Sequence, residues 1–197
     1  GFGCYGPKSL RPGYDIIAQA TGGLMSITGE PGRHGIRVGN AMGDVLGGMN
    51  LTIGILIALH ARTITGKGQR VDVSLVDSVV SSLETGTQRY FASGKQPELM
   101  GNRYAAAYPY DSFKASDGFF VIGCGNDKLF SLFCINVLNR PELLEDSRFA
   151  TNIKRCEYHA ELKPIIEEWS VNYSIDEAVD LLNEAGVPAA PINDLQR

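Results

Sequence analysis

A chain of 197 residues with 44% hydrophobic side chains can bury a core and holds one or two domains, which excludes an intrinsically disordered tract. Its 20% charged residues give a formal net charge of −4, with the basic side chains scattered. Nothing in that balance draws the chain to nucleic acid or to an anionic membrane, so an anionic ligand has to be met locally.

In chain order, the opening Gly1-Phe-Gly-Cys-Tyr-Gly6 reads G-x-G-x-x-G. A dinucleotide fingerprint needs a strand before it and a helix after it, whereas Pro7, Pro12 and Gly13 follow here, so a glycine-rich loop is expected. Residues 14–25 (YDIIAQATGGLM) carry Ile16, Ile17, Ala20 and Leu24 on one helical face, with Gly22-Gly23 interrupting or thinning the helix. Residues 28–35 are a turn cluster. Asp44 then stands immediately before residues 45–59, an uncharged run shorter than the ~20 residues of a membrane span. With Gly47, Gly48 and Gly54 in it, that run reads as a helix buried all round, its glycines permitting close approach of a backbone or a ligand.

Residues 65–69 (TGKGQ) form a turn and not a P-loop, because Ala61 and Gly68 occupy positions where that motif needs Gly and Ser or Thr. Residues 70–75 alternate, Val71, Val73 and Leu75 against Asp72 and Ser74, as a half-buried strand does. Residues 77–92 read as a helix with Val79, Val80, Leu83 and Phe91 inward. Composition shifts near residues 93–98, which divides the chain into 1–95 and 96–197. Beyond that lie a strand pair over 112–115 and 119–124 with a turn at Asp117-Gly118, a helix over 128–138, and a polar irregular stretch over 140–158. A helix over 159–169 has Pro164 at a start or kink, and a last helix carries a Ser174/Glu177 capping box and stops at Gly186 and Pro188. Cys4, Cys124, Cys134 and Cys156 lie far apart without a CxxC pair; no zinc site is expected, and reduced intracellular thiols are. Asn50 and Asn172 head N-x-[ST] matches without the look of glycosylation addresses. Without an initiator Met or a signal-like segment, and with an abrupt finish, both ends read as cuts in a longer protein.

A carboxylate at the start of an apolar helix meets unsatisfied N–H groups and a partial positive charge, which suits either an ordinary N-cap or an ionised nucleophile. Gly43, Gly47 and Gly48 around Asp44 leave room for a thioester or a second carboxylate. Tyr14 has two readings as well, packing or a polar contact to a ligand.

The stretches PGYDIIAQATGGLMSITGEPG and VGNAMGDVLGGMNLTIGILIALHARTITGKGQRVDVSLVDS resemble family III CoA-transferases, the formyl-CoA and carnitine CoA-transferase group. GNRYAAAYPYDSF, DGFFVIGCGND, DSRFATN and AGVPAAPIND are similar to the smaller domain of that family. The resemblance implies an α/β fold: part of a Rossmann-like large domain over 1–95, a smaller α+β domain over 96–197, and an interlocked homodimer. It implies that Asp44 attacks an acyl-CoA and carries an acyl anhydride and then an aspartyl-CoA thioester, with no metal and no permanently bound cofactor. Coenzyme A and acyl-CoA then enter as substrates, with a small carboxylic acid as acceptor.

Tyr14, Gly47 and Gly48 would border the substrate, Leu75 would line the CoA chain, and Arg11 would lie near the CoA phosphates. The same-fold α-methylacyl-CoA racemases pair the matching aspartate with a His in a GHD sequence; here the sequence is Gly13-Tyr14-Asp15, which disfavours that chemistry. A catalytically silent scaffold is the alternative of another class. The glycine-rich cover loop of formyl-CoA transferase is not evident, which weighs against oxalate as acceptor, and Gly123-Cys124-Gly125-Asn126-Asp127 reads as a strand-end turn. No nucleic-acid or membrane partner is implied, and the expected location is the cytoplasm, or an organelle matrix in a eukaryote.

Overall fold

The computed structural model describes residues 1–196. The chain is an α/β protein of helices and one three-stranded antiparallel sheet, divided into a compact unit Gly1–Gly101 and a second beginning at Asn102.

The first unit holds four helices: α1 (Asp15–Thr21), α2 (Met42–Thr65), α3 (Leu75–Ser81) and α4 (Glu84–Ser93). The expected helix over 14–25 does break at the glycine pair. Gly23 turns left-handed at φ +90°, and a short 3-10 turn, Leu24–Ser26, follows. The inward face is different from the one expected: Ala18 and Gln19 are buried, while Ile16, Ile17 and Ala20 are exposed.

Residues 70–75 do not form a strand. The segment lies outside any sheet, and Leu75 is already the first helical residue of α3, with Ser74 as N-cap accepting a hydrogen bond from the Asp77 N–H at 3.2 Å. Alternation fixes which side chains point inward, but a strand also needs a neighbouring edge, and here the neighbour is a helix. The expected helix over 77–92 is likewise two helices. The Ser81 and Ser82 hydroxyls donate to the Ser78 and Val79 carbonyls at 2.7 Å each, which competes with continued helix. Glu84 then takes φ +38°, leaving Val79 buried but Val80 and Phe91 exposed.

α2 is longer than the apolar run, and its surroundings overturn the expectation of burial all round. One stripe is covered: Gly43 and Gly47 are buried, and Leu46, Asn50, Gly54, Ala58 and Ala61 are half-buried along the same face. The glycines admit side chains of the segment that runs back past them. A Cβ on Gly47 would lie 2.5 Å from Leu75 Cδ2, one on Gly54 2.7 Å from Val71 Cγ1, and one on Gly43 3.4 Å from Val79 Cγ2. Between them Asn50 Nδ2 donates to Ser78 Oγ at 3.0 Å. Elsewhere the helix presents nine large apolar side chains to solvent, Leu56 at 60% and Ile57 at 62% exposure among them. At 24 residues it is also long and apolar enough to cross a membrane by length and composition, a test the shorter run failed and one that core helices also pass.

The second unit is built on the expected hairpin. β1 (Tyr110–Lys114) pairs antiparallel with β2 (Phe119–Gly123), and β3 (Ala189–Pro191) adds to the other edge of β2. Alternation buries Phe113, Phe120 and Ile122. They pack with side chains of α5 (Asp127–Leu132, continued by the π turn Phe133–Val137), α7 (His159–Ser170) and α8 (Ile175–Glu184). The polar stretch over 140–158 contains a 3-10 turn (Pro141–Leu144) and α6 (Asn152–Glu157), and Pro164 sits inside α7. α6 delivers Arg155, fully buried, whose Nε and Nη1 donate to the Tyr108 and Phe149 carbonyls at 2.8 and 2.9 Å and whose Nη2 meets Asp127 at 2.6 Å.

The capping box of α8 is formed as the sequence indicates: Ser174 Oγ accepts from the Glu177 N–H, and Glu177 Oε2 accepts from the Ser174 N–H at 2.9 Å. Ser174→Ala is expected to destabilise the protein by about 1 kcal/mol in urea unfolding. All four cysteines are free thiols. Burial pushes the Cys124 and Cys134 thiols up to about 12, so the reactive thiolate is scarce at neutral pH. At pH 8 iodoacetamide is expected to label exposed Cys4 at least about 100-fold faster than either, with parity only after unfolding, as read by peptide mass spectrometry.

Candidate active site

Asp44 occupies the first turn of α2, whose N-cap is Ala41, a residue with no side-chain acceptor. The helix start is tied down by other groups. The Met42 N–H donates to the Asn40 carbonyl at 2.9 Å, and the Gly43 N–H donates to Asp15 Oδ1 at 2.8 Å. Among the described residues the Asp44 carboxylate makes no hydrogen bond or ion pair, and the residue is exposed. It is therefore an available anion at the positive end of a helix.

The three glycines beside it differ. Gly43 lies against Asp15, Ala18 and Val79, and the open side of Gly47 is filled by Leu75, so neither leaves the room the sequence suggested. Gly48 does: a Cβ there would meet nothing within 4 Å. Asp44 and Gly48 are four apart and share one face of α2, so no side chain stands one turn beyond Asp44 on that face.

Tyr14 is the N-cap of α1, 82% exposed, and makes no side-chain capping bond. Because Asp15 binds Gly43, Tyr14 and Asp44 flank the same inter-helix hydrogen bond. Leu75 reaches the site region through Gly47, from the start of a helix and not from a strand. Arg11 is exposed in a turn, its N–H donating to the Lys8 carbonyl at 2.9 Å, and among the described residues no hydrogen bond or ion pair links it to Asp44. A cavity of about 270 Å³ in this unit is lined by Ser26, Ile27, Leu83, Thr87, Tyr90 and Gln96 among others, and none of the candidate residues is in its wall. Among the described residues no three His, Cys, Asp or Glu side chains gather as a metal-binding group.

Sequence reasoning missed Asp15 and Gln19. The signal was present as an acidic residue next to Tyr14 and an amide four residues on, one helical turn away.

The family model for CoA-transferase family III matches residues 1–197. The chain belongs to CoA-transferase family III. It is 40% identical over 196 residues to the acetyl-CoA:oxalate CoA-transferase of Acetobacter aceti, an alignment that takes in 99% of this chain and 50% of that protein. To the succinyl-CoA:glutarate CoA-transferase of Mus musculus this family III chain is 36% identical over 196 residues, covering 100% of itself and 45% of the relative. Among solved structures, a CAIB/BAIF family protein from Brucella suis superposes with a TM-score of 0.83 at 41% identity, covering 100% of this chain and 52% of that one. The hypothetical protein Rv3272 from Mycobacterium tuberculosis superposes at 0.84 with 26% identity, covering 99% and 51%. The family III chain thus spans about half the length of the curated relatives it matches.

Proposed function

We propose that this chain is the nucleophile-bearing part of a CoA-transferase that moves CoA from an acyl-CoA to a small carboxylic acid, with Asp44 as the covalent nucleophile. The observation that carries the reading is the unengaged Asp44 carboxylate at the start of α2, beside the open flank of Gly48. The names of the relatives, acetyl-CoA:oxalate and succinyl-CoA:glutarate CoA-transferases, support the reaction class.

A carboxylate oxygen of Asp44 attacks the thioester carbonyl carbon; the C–S bond breaks, CoA thiolate leaves, and an acyl-aspartyl anhydride forms. The thiolate attacks Cγ of Asp44, the donor carboxylate leaves, and an aspartyl-CoA thioester remains. The acceptor carboxylate attacks the same Cγ and expels the thiolate, giving a second anhydride. The thiolate then attacks the acceptor acyl carbon and returns Asp44 as its carboxylate. Each step trades one activated acyl bond for another without net proton transfer, so neither a metal nor a histidine base is needed, provided water is kept out. Tyr14 and Gly48 border the reacting groups in this reading, with Leu75, which fills the flank of Gly47, along the CoA chain and Arg11 toward its phosphates. A homodimer and a cytoplasmic or organelle-matrix setting accompany it.

The test incubates the full-length enzyme with acetyl-CoA or succinyl-CoA and a carboxylic acid, quenches with hydroxylamine or borohydride, and maps the product by mass spectrometry. Modification at Asp44 is the expected result. Consumption of donor with Asp44 unmodified would overturn the covalent mechanism.

A further inference from the structure

Gln19 is fully buried although its side chain is an amide, and every polar contact it makes bears on the start of α2. Its Nε2 donates to Asp15 Oδ2 at 2.9 Å and to the Asn40 carbonyl at 3.1 Å, while its Oε1 accepts from the Val38 N–H at 2.9 Å. The other oxygen of Asp15, Oδ1, accepts from the Gly43 N–H at 2.8 Å. The network therefore grips the chain on both sides of the Ala41 N-cap: residues 38 and 40 before it, residue 43 after it. The polarity is fixed by the partners, since Oε1 faces an N–H and Nε2 faces a carbonyl and a carboxylate. Gly43 makes the close approach available, because a Cβ there would stand 3.1 Å from Asp15 Oδ1 and 3.2 Å from Ala18 Cβ.

A helix start presents N–H groups that seek an acceptor, and a carboxylate in its own first turn is a ready one. Here Asp15, from another helix, takes the Gly43 donor, and Asp44 is left unengaged one residue further on. We infer that Asp15 and Gln19 are positioning residues that cap α2 in place of Asp44, fixing the first turn and keeping the Asp44 carboxylate available for attack. The inference rests on the proposed role of Asp44 as nucleophile. Asp15 touches Gly43 and Gln19 and acts on the reaction only through them.

The test uses the full-length enzyme and the single-turnover rate at which acyl-CoA labels Asp44. Asp15→Asn supplies one amide edge where two acceptors are needed, so a donor must face either the Gly43 N–H or Gln19 Nε2. The labelling rate is expected to fall about 10–100-fold, as small displacements of a reacting group do, with KM for acyl-CoA changed by less than about threefold. Asp15→Glu keeps two acceptor oxygens for the Gly43 N–H and Gln19 Nε2 and leaves the Gln19 contacts to the Val38 N–H and the Asn40 carbonyl in place. It is expected to label at least about tenfold faster than Asp15→Asn, the opposite of the ranking that shape alone would give, since Asn and not Glu matches Asp in shape. A lower melting temperature with an unchanged labelling rate in the folded Asp15→Asn enzyme would overturn the inference and leave a purely structural tie. So would a folded Asp15→Glu enzyme that labels no faster than Asp15→Asn. Failure of the wild type to label at Asp44 while consuming donor would overturn the nucleophile reading and this inference together, and is distinguishable from the other two outcomes by the wild-type control.

Discussion

Asp44→Asn in the full-length enzyme is expected to lower CoA transfer by at least about 10³-fold and to eliminate hydroxylamine-trappable label at residue 44. The carboxamide has nearly the shape of the carboxylate, but it is a poor nucleophile and cannot form the anhydride through which CoA is exchanged. The substitution should be silent for the fold. Asp44 is exposed and, among the described residues, makes no hydrogen bond or ion pair, so only its favourable charge at the helix start is lost, a cost of at most about 1 kcal/mol. Steady-state assay with acetyl-CoA and succinyl-CoA, beside a thermal melt, separates the two effects. Near-wild-type transfer with an unchanged melt would remove Asp44 from the chemistry.

The largest expected effect on stability lies in the second unit. Arg155→Leu is expected to destabilise the protein by about 2–6 kcal/mol in denaturant unfolding, from two buried carbonyls left without a donor at about 1–3 kcal/mol each. The guanidinium carbon lies 4.2 Å from the Phe130 ring centroid, and its donors satisfy the Tyr108 and Phe149 carbonyls. Leucine replaces the apolar contact but leaves both carbonyls without the donor that pairs them now. The Asp127 partner is 66% exposed on its side chain and can return to water, so most of the loss belongs to the carbonyls and the packing and not to the ion pair. Arg155→Lys keeps the charge but not the planar fork, and should recover less than half of the lost stability.

What the sequence disclosed and what it concealed follow a physical division. Signals carried by neighbours along the chain were legible: the Ser174/Glu177 box, the hairpin about Gly118, the break at Gly22-Gly23, and Asp44 at the head of α2. Signals that depend on what packs alongside were not. Residues 70–75 alternate like a strand because Val71 and Leu75 fill the gaps at Gly54 and Gly47, and no pattern within six residues distinguishes a helix from a strand as the surface they meet. The Asp15/Gln19 pair was legible one helical turn apart, but that this polar side of α1 turns inward was not, for the same reason. Gln19 is buried and bonded to groups about twenty positions away, the Val38 N–H and the Asn40 carbonyl, while the isoleucines that advertised an inner face are exposed. Gly47 and Gly48 looked equivalent in sequence, and only the position of Leu75 separates a filled gap from an open one.

The bare apolar circumference of α2 has a practical consequence at the bench. With nine large hydrophobic side chains facing water along one helix, the 197-residue polypeptide handled by itself should adsorb to phenyl resins and enhance the fluorescence of apolar dyes. Its self-association should grow with ammonium sulfate and on warming from the cold, the reverse of what charge-driven contacts do when salt is added. Dilute, cool, low-salt buffers are therefore the conditions in which its spectra would report the single chain.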